Sequence, residues 1–146
     1  MKMIGEYTCR GQIPINTTER IHLFDGSFKT AYRIVEFSIT PANVAGNFDA
    51  YGKIKTEDDG TQGKGNEWNW DDQTEVAWGY YAGVQSAGAD TYGSWVDPDN
   101  LIVEDAYIRA GTGTETQDVN YMIKFEKYDI SEYRGALSMV RNRSQA

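Results

Sequence analysis

One histidine, one cysteine and 22 acidic side chains limit the chemistry open to this 146-residue chain. A Ser-His-Asp or Cys-His relay has to run through His22, and no nucleophile motif of the G-x-S-x-G kind accompanies it. A zinc site made of His and Cys needs more ligands than His22 and Cys9 supply. Residues 60–65 (GTQGKG) are glycine-rich, but they lack Walker A spacing and no apolar strand leads into them. They read as a loop and not as a phosphate cradle.

The carboxylates are denser. Glu57, Asp58, Asp59, Glu67, Asp71, Asp72 and Glu75 stand against Lys64 alone between positions 57 and 75. Oxygen donors at that density suit Ca²⁺, yet the EF-hand pattern is missing, because Gly60 is not followed by a Glu at the required distance. Runs of like charge are usually solvated, so an acidic loop without a bound cofactor is the expectation. A pair of acids also serves glycoside hydrolysis, but with so many acids a pair carries little information. The reading is a non-enzymatic protein that works by presenting surfaces.

Aromatic residues give the positive signal. Trp68, Trp70, Trp78 and Trp95 are all four tryptophans of the chain, and Tyr80, Tyr81 and Tyr92 are interleaved with them. Trp68 and Trp70 flank Asn69 beside Asp71 and Asp72. Such rings can form a sugar-stacking platform with apolar faces and polar edges. The competing expectation is burial at the ends of a sandwich or at an oligomer interface, where Trp and Tyr are enriched.

The elements that position these groups read as strands. Apolar residues make up 40% of the chain, enough for a core, and the length falls in the single-domain range. A compact fold of this mass exposes about 7,500 Å², room for two or three contacts of about 800 Å² each. The net charge of -8 disfavours nucleic-acid binding, which needs Lys and Arg to displace phosphate counterions. The first residues hold one Lys and no apolar h-region, so no secretory signal is read there. No apolar run approaches the roughly 20 residues of a membrane span. The expectation is a soluble protein made in the cytoplasm.

Residues 7–15 alternate as a half-buried strand. Asp25-Gly26 is the strongest local turn signal, because both residues tolerate the positive φ of a type I′ hairpin. It predicts a hairpin that pairs Phe24 with Ser27 and Leu23 with Phe28, its second arm running over residues 32–39. Short strands are expected at 49–56 and 75–81, with Gly-rich loops at 57–67 and 83–93. Residues 97–100 (DPDN) turn the chain into a strand over 101–110, which pairs as a second hairpin with 119–128. Asp129 and Glu132 then resemble a capping box. Tyr133, Ala136, Leu137 and Val140 share a helical face, and Arg141 and Arg143 suit the negative end of that helix. Gly135 weakens this helix by about 1 kcal/mol, so docking onto a neighbouring subunit through Tyr133, Leu137, Val140, Arg141 and Arg143 is expected. The fold class is mainly β: one antiparallel sandwich or jelly-roll domain closed by a C-terminal helix at about 131–143.

Two stretches carry a resemblance. Residues 6–13 (EYTCRGQI) with 20–37 (RIHLFDGSFKTAYRIVEF), and 97–105 (DPDNLIVED) with 120–145 (NYMIKFEKYDISEYRGALSMVRNRSQ), resemble small virion-associated proteins of uncultured marine bacteriophages. The middle loops lie outside the resemblance, which brings no catalytic motif. It implies a capsid, decoration or accessory shell protein in the virion, in contact with copies of itself and with other virion proteins. A carbohydrate-binding module is the alternative.

Overall fold

The computed structural model describes residues 2–58, 65–113 and 116–131. Eight strands run β1 (Lys2–Ile13), β2 (Thr18–Ile21), β3 (Thr30–Pro41), β4 (Phe48–Lys55), β5 (Glu75–Val84), β6 (Ala89–Val96), β7 (Ala106–Gly111) and β8 (Val119–Asp129). They form two antiparallel sheets: a three-stranded sheet A, ordered β1-β8-β3, and a five-stranded sheet B, ordered β2-β7-β4-β5-β6. The expected mainly-β class is what the chain adopts. Among the described residues there is a single 3-10 turn, Gln85–Ala87, and no α-helix. The C-terminal helix and its residues Tyr133, Leu137, Val140, Arg141 and Arg143 lie outside the described residues.

Alternation on β8 sets up the core. Val119, Tyr121, Ile123 and Phe125 are buried, in register with Ile13, Gly11, Cys9 and Tyr7 of β1 and with Pro41, Ile39, Phe37 and Ile34 of β3. Sheet B answers with small residues: Ala50, Ala77, Ala106 and Ala110 are fully buried around Ile54 and Ile108. A Cβ at Gly52 would stand 2.7 Å from Ile39, and one at Gly79 would stand 3.4 Å from Phe37. Phe37 and Ile39 thus press onto a track of glycine and alanine, and residues of both sheets share one apolar cluster. Each such buried side chain contributes about 1.5–3 kcal/mol.

The pairing follows a regular scheme. β1 and β3 both pair with β8 in sheet A, while in sheet B β2 pairs with β7, β7 with β4, β4 with β5 and β5 with β6.

Both expected hairpins are corrected by this scheme. β2 belongs to sheet B and β3 to sheet A, so Asp25-Gly26 lies in a crossing between sheets. Gly26 (φ 84°) and Phe28 (φ 56°) take the left-handed region, and Asp25 does not, as a type I′ turn would require. The Asp25 carboxylate instead accepts hydrogen bonds from the Ser27 N–H (2.7 Å), the Lys29 N–H (2.9 Å) and the Thr30 hydroxyl (2.9 Å). Buried Asp105 secures the same crossing by accepting from the Leu23 and Phe24 N–H groups, at 2.9 and 3.1 Å, and from Arg20. β7 belongs to sheet B and β8 to sheet A, so the second predicted hairpin is not one either.

A tight hairpin forms where a loop was expected. β5 runs on to Val84, Gly88 turns at φ 60°, and β6 pairs back onto β5 from Ala89 to Val96. Nearly every β6 side chain is exposed, so this strand carries no burial alternation for a sequence reading to detect. Residues 97–100 do turn as expected, with the Asn100 N–H donating to Asp97 O at 3.1 Å. The strand after them starts only at Ala106, preceded by one bridge between Ile102 and Tyr32.

Candidate functional site: an aromatic face on sheet B

Strand register decides which rings meet. Tyr51 on β4 pairs with Tyr80 on β5, Lys53 with Trp78, and Trp78 with Trp95 on β6. These residues therefore share the face of sheet B turned away from sheet A. The segment before β5 lies on that face and adds Trp68 and Trp70. Ring centroids are 5.9 Å apart for Trp68–Trp95, 5.3 Å for Trp70–Trp78 and 6.4 Å for Trp70–Trp95. Tyr80 stacks on Trp95 at 6.0 Å with an 18° interplanar angle.

The four tryptophans singled out in the sequence thus converge, with different exposures. Trp78 is 7% exposed and works as a floor, whereas Trp70 is 61% and Trp95 43% exposed. Trp68 is half-buried. The indole N–H of Trp68 donates to Gly65 O (2.8 Å) and that of Trp78 to Glu75 Oε1 (2.8 Å).

An ion pair beneath the rings holds the segment down. The Lys53 and Glu75 side chains, 3% and 2% exposed, meet at 3.1 Å. Lys53 Nζ also donates to Glu67 O at 2.7 Å, and Glu75 Oε1 accepts from the Asn69 N–H at 2.9 Å. Two charges removed from water gain little net stability, while removing one partner alone is costly. The pair therefore specifies where the Trp68–Asn69–Trp70 backbone sits. Beside it, Lys55 meets Asp72 at 3.1 Å. Burial raises the Asp72 pKa, but the Thr74 hydroxyl and N–H and the Lys55 ammonium outweigh it and leave the carboxyl below its ordinary value.

Two glycines permit the close packing. A Cβ at Gly65 would lie 2.6 Å from the Ala110 backbone, so the segment rests directly on β7. A Cβ at Gly93 would lie 2.9 Å from both the Trp95 ring and Tyr80. Lys53, Tyr51 and Gly93 were missed as site residues. Lys53 and Lys55 stand two apart at the end of β4, a spacing that puts both on one face but does not reveal their burial.

The acidic stretch does not gather as a ligand set among the described residues. Glu75 and Asp72 are engaged by Lys53 and Lys55, and Asp59 lies outside the described residues. Among the described residues no group of three or more His, Cys, Asp or Glu is placed to hold a metal ion. His22 stands exposed just beyond β2. Cys9 is half-buried on β1, where burial first and Glu19 second push the thiol up, against a hydrogen bond with Tyr121. Among the described residues no helix is long and apolar enough to cross a membrane.

No protein-family model, no curated protein and no solved structure matches the chain.

Proposed function

We propose that the protein is a non-enzymatic structural component of a bacteriophage particle, a capsid, decoration or accessory shell subunit that acts through protein–protein contacts. The observation that carries this reading is the outer edge of β1. It runs for 12 residues at the margin of sheet A with one irregularity, between Met3 and Gly5. Met3, Ile4 and Tyr7 are 48%, 48% and 53% exposed along it. Among the described residues no strand covers this edge. Long edge strands with apolar side chains are avoided by proteins that stay alone, because they offer a template for another chain. A shell repeats such a contact many times, so a modest one suffices.

We read the finer fold as a variant of the jelly roll, which supports the proposal. The 1–8, 2–7 and 4–5 pairs are those of an antiparallel strip rolled into a jelly-roll sandwich, departing from it in that β6 pairs with β5 and not with β3. That architecture serves viral capsid and lectin domains, though architecture alone does not dictate function. Mass measurement at micromolar concentration tests the proposal: a homo-oligomer, or association with purified particles, is expected. A strictly monomeric chain that also ignores particles overturns it.

The convergence of Trp68, Trp70, Tyr80 and Trp95 favours a second reading, a carbohydrate-binding module used for receptor attachment. The two readings concern different surfaces of the molecule.

A further inference from the structure

From the outer face of sheet B we infer a site for a neutral pyranose, stacked on Trp70 and Trp95 and bordered by Trp68 and Tyr80. This deepens the carbohydrate reading and rests on it. Three observations choose the occupant.

Area comes first. Trp70 and Trp95 are 61% and 43% exposed. With a whole side chain of about 250 Å², they offer roughly 250 Å² together, against about 800 Å² that each partner of a stable protein complex covers. The exposed rings match one or two sugar units and are too small for a subunit interface.

The second observation is shape. Trp70 and Trp95 are inclined at 57°, and Trp68 and Trp95 at 62°. A sugar ring lying on one indole is then touched on its edge by another, so its C–H face meets the ring and its hydroxyls reach the border. Polar side chains of the covering segment flank the rings in sequence: Asn66, Glu67 and Asp71 are exposed beside Trp68 and Trp70.

Charge supplies the third. The chain carries -8, and the polar border includes Glu67 and Asp71. Beneath the rings, the Lys53 ammonium meets Glu75 and the Glu67 carbonyl and is buried. A sulfated or sialylated glycan would meet repulsion at that border, so the ligand is uncharged. Pre-ordering completes the case. The Asn69 N–H on Glu75, the Asp71 N–H on Asn69 Oδ1 (3.0 Å) and the Asp72 N–H on Asn69 O (3.1 Å) fix the backbone around Trp70 before any ligand arrives. Rings fixed in advance lose less entropy on binding.

The experiment uses the full chain against neutral glucose-, galactose-, mannose- and N-acetylglucosamine-based oligosaccharides, with sialylated and sulfated glycans beside them. Trp70→Ala, Trp95→Ala and Tyr92→Ala are the variants; Tyr92 is 75% exposed and pairs with Tyr81 on the opposite face of sheet B. Micromolar to millimolar binding of a neutral glycan is expected, weakened at least tenfold by Trp70→Ala or Trp95→Ala and unaltered by Tyr92→Ala. Indole N–H shifts at Trp70 and Trp95 during titration of the unaltered chain give the same answer should a variant fail to fold. Absence of neutral-glycan binding, preference for an anionic glycan, or indifference to both tryptophan changes overturns the inference. Particle association retained by the double Trp70→Ala/Trp95→Ala variant, with glycan binding lost, separates this site from the assembly surface. Retention of both activities by that variant also overturns it.

Discussion

The outer faces of the two sheets obey the same period-two rule and end up in opposite environments. On sheet A, Arg10, Gln12, Ser38, Thr40, Asn120 and Met122 line an open face, laced by Gln12 to Asn120 at 2.9 Å and Asn120 to Thr40 at 3.3 Å. On sheet B, Tyr51, Lys53, Trp78, Tyr80 and Trp95 occupy the equivalent positions, with residues 65–74 laid over part of them. Consequently β8 alternates in burial from Val119 to Glu126, whereas β5 is buried without a break from Glu75 to Gly79. A strand covered on one side announces its register, and one covered on both sides does not. The second kind is where this molecule has spent its unusual groups: buried Lys53 and Lys55 on β4 and buried Glu75 and Trp78 on β5.

Glu75→Ala should produce the largest effect. It leaves the Lys53 ammonium buried without its carboxylate and the Asn69 and Trp78 N–H groups without their acceptor, at a cost of about 3–5 kcal/mol. Urea unfolding measures the loss, and tryptophan emission should shift to the red as water reaches Trp78. Glu75→Gln, which keeps an acceptor, should lose less. Equal stability of Glu75→Ala and the parent chain would remove the contrast between the faces.

On sheet A the sensitive point lies at the edge and not on the face. Buried Asn100 accepts from the Ile34 N–H (2.8 Å) and donates to Ile34 O (2.9 Å) and Asp97 O (2.7 Å). It stands in for a strand next to the irregularity between Ile34 and Glu36. Asn100→Ala should cost about 2–3 kcal/mol, the penalty for orphaned buried backbone groups, by the same unfolding measurement.

The crossing between the sheets should give a pH signature. Slight burial raises the Asp25 pKa, but the Ser27 N–H, the Thr30 hydroxyl and the Lys29 N–H bring it down to about 2. A folded-state pKa below the unfolded value of about 3.9 stabilises the fold above that value. The contribution fades as pH falls from about 4 towards 2. Asp25→Asn should flatten the stability profile in that window, and a parallel offset at every pH would contradict the assignment. The smallest change belongs to Gln12→Ala on the open face of sheet A, within about 0.5 kcal/mol.

Much of the fold was legible in the residues. Alternation in 119–128 marked β8 and its inward side correctly, since Val119, Tyr121, Ile123 and Phe125 are all buried. The clustering of tryptophan between positions 68 and 95 marked the aromatic face. Lys53 could not be found in the same way, because the Glu67 carbonyl and the Glu75 carboxylate that receive it come from 14 and 22 positions further along the chain. Asp72 and Glu75, two of the seven acids of that run, looked unopposed only because Lys53 and Lys55 lie on a strand outside the window.

What the sequence determined by itself was local: the alternating extended stretches such as β8, the parity they turn inward, and the positive-φ turn at Gly26. These depend on one residue's sterics and its near neighbours. Pairing was decided only in three dimensions. Asp25-Gly26 and residues 111–116 have the chemistry of hairpin turns, yet both crossings change sheets. A turn limits where the chain may bend, but a strand settles beside whichever partner buries the most apolar surface. For β3 that partner is β8, some 90 residues away, since only there do Phe37 and Ile39 come to rest on Gly52 and Gly79.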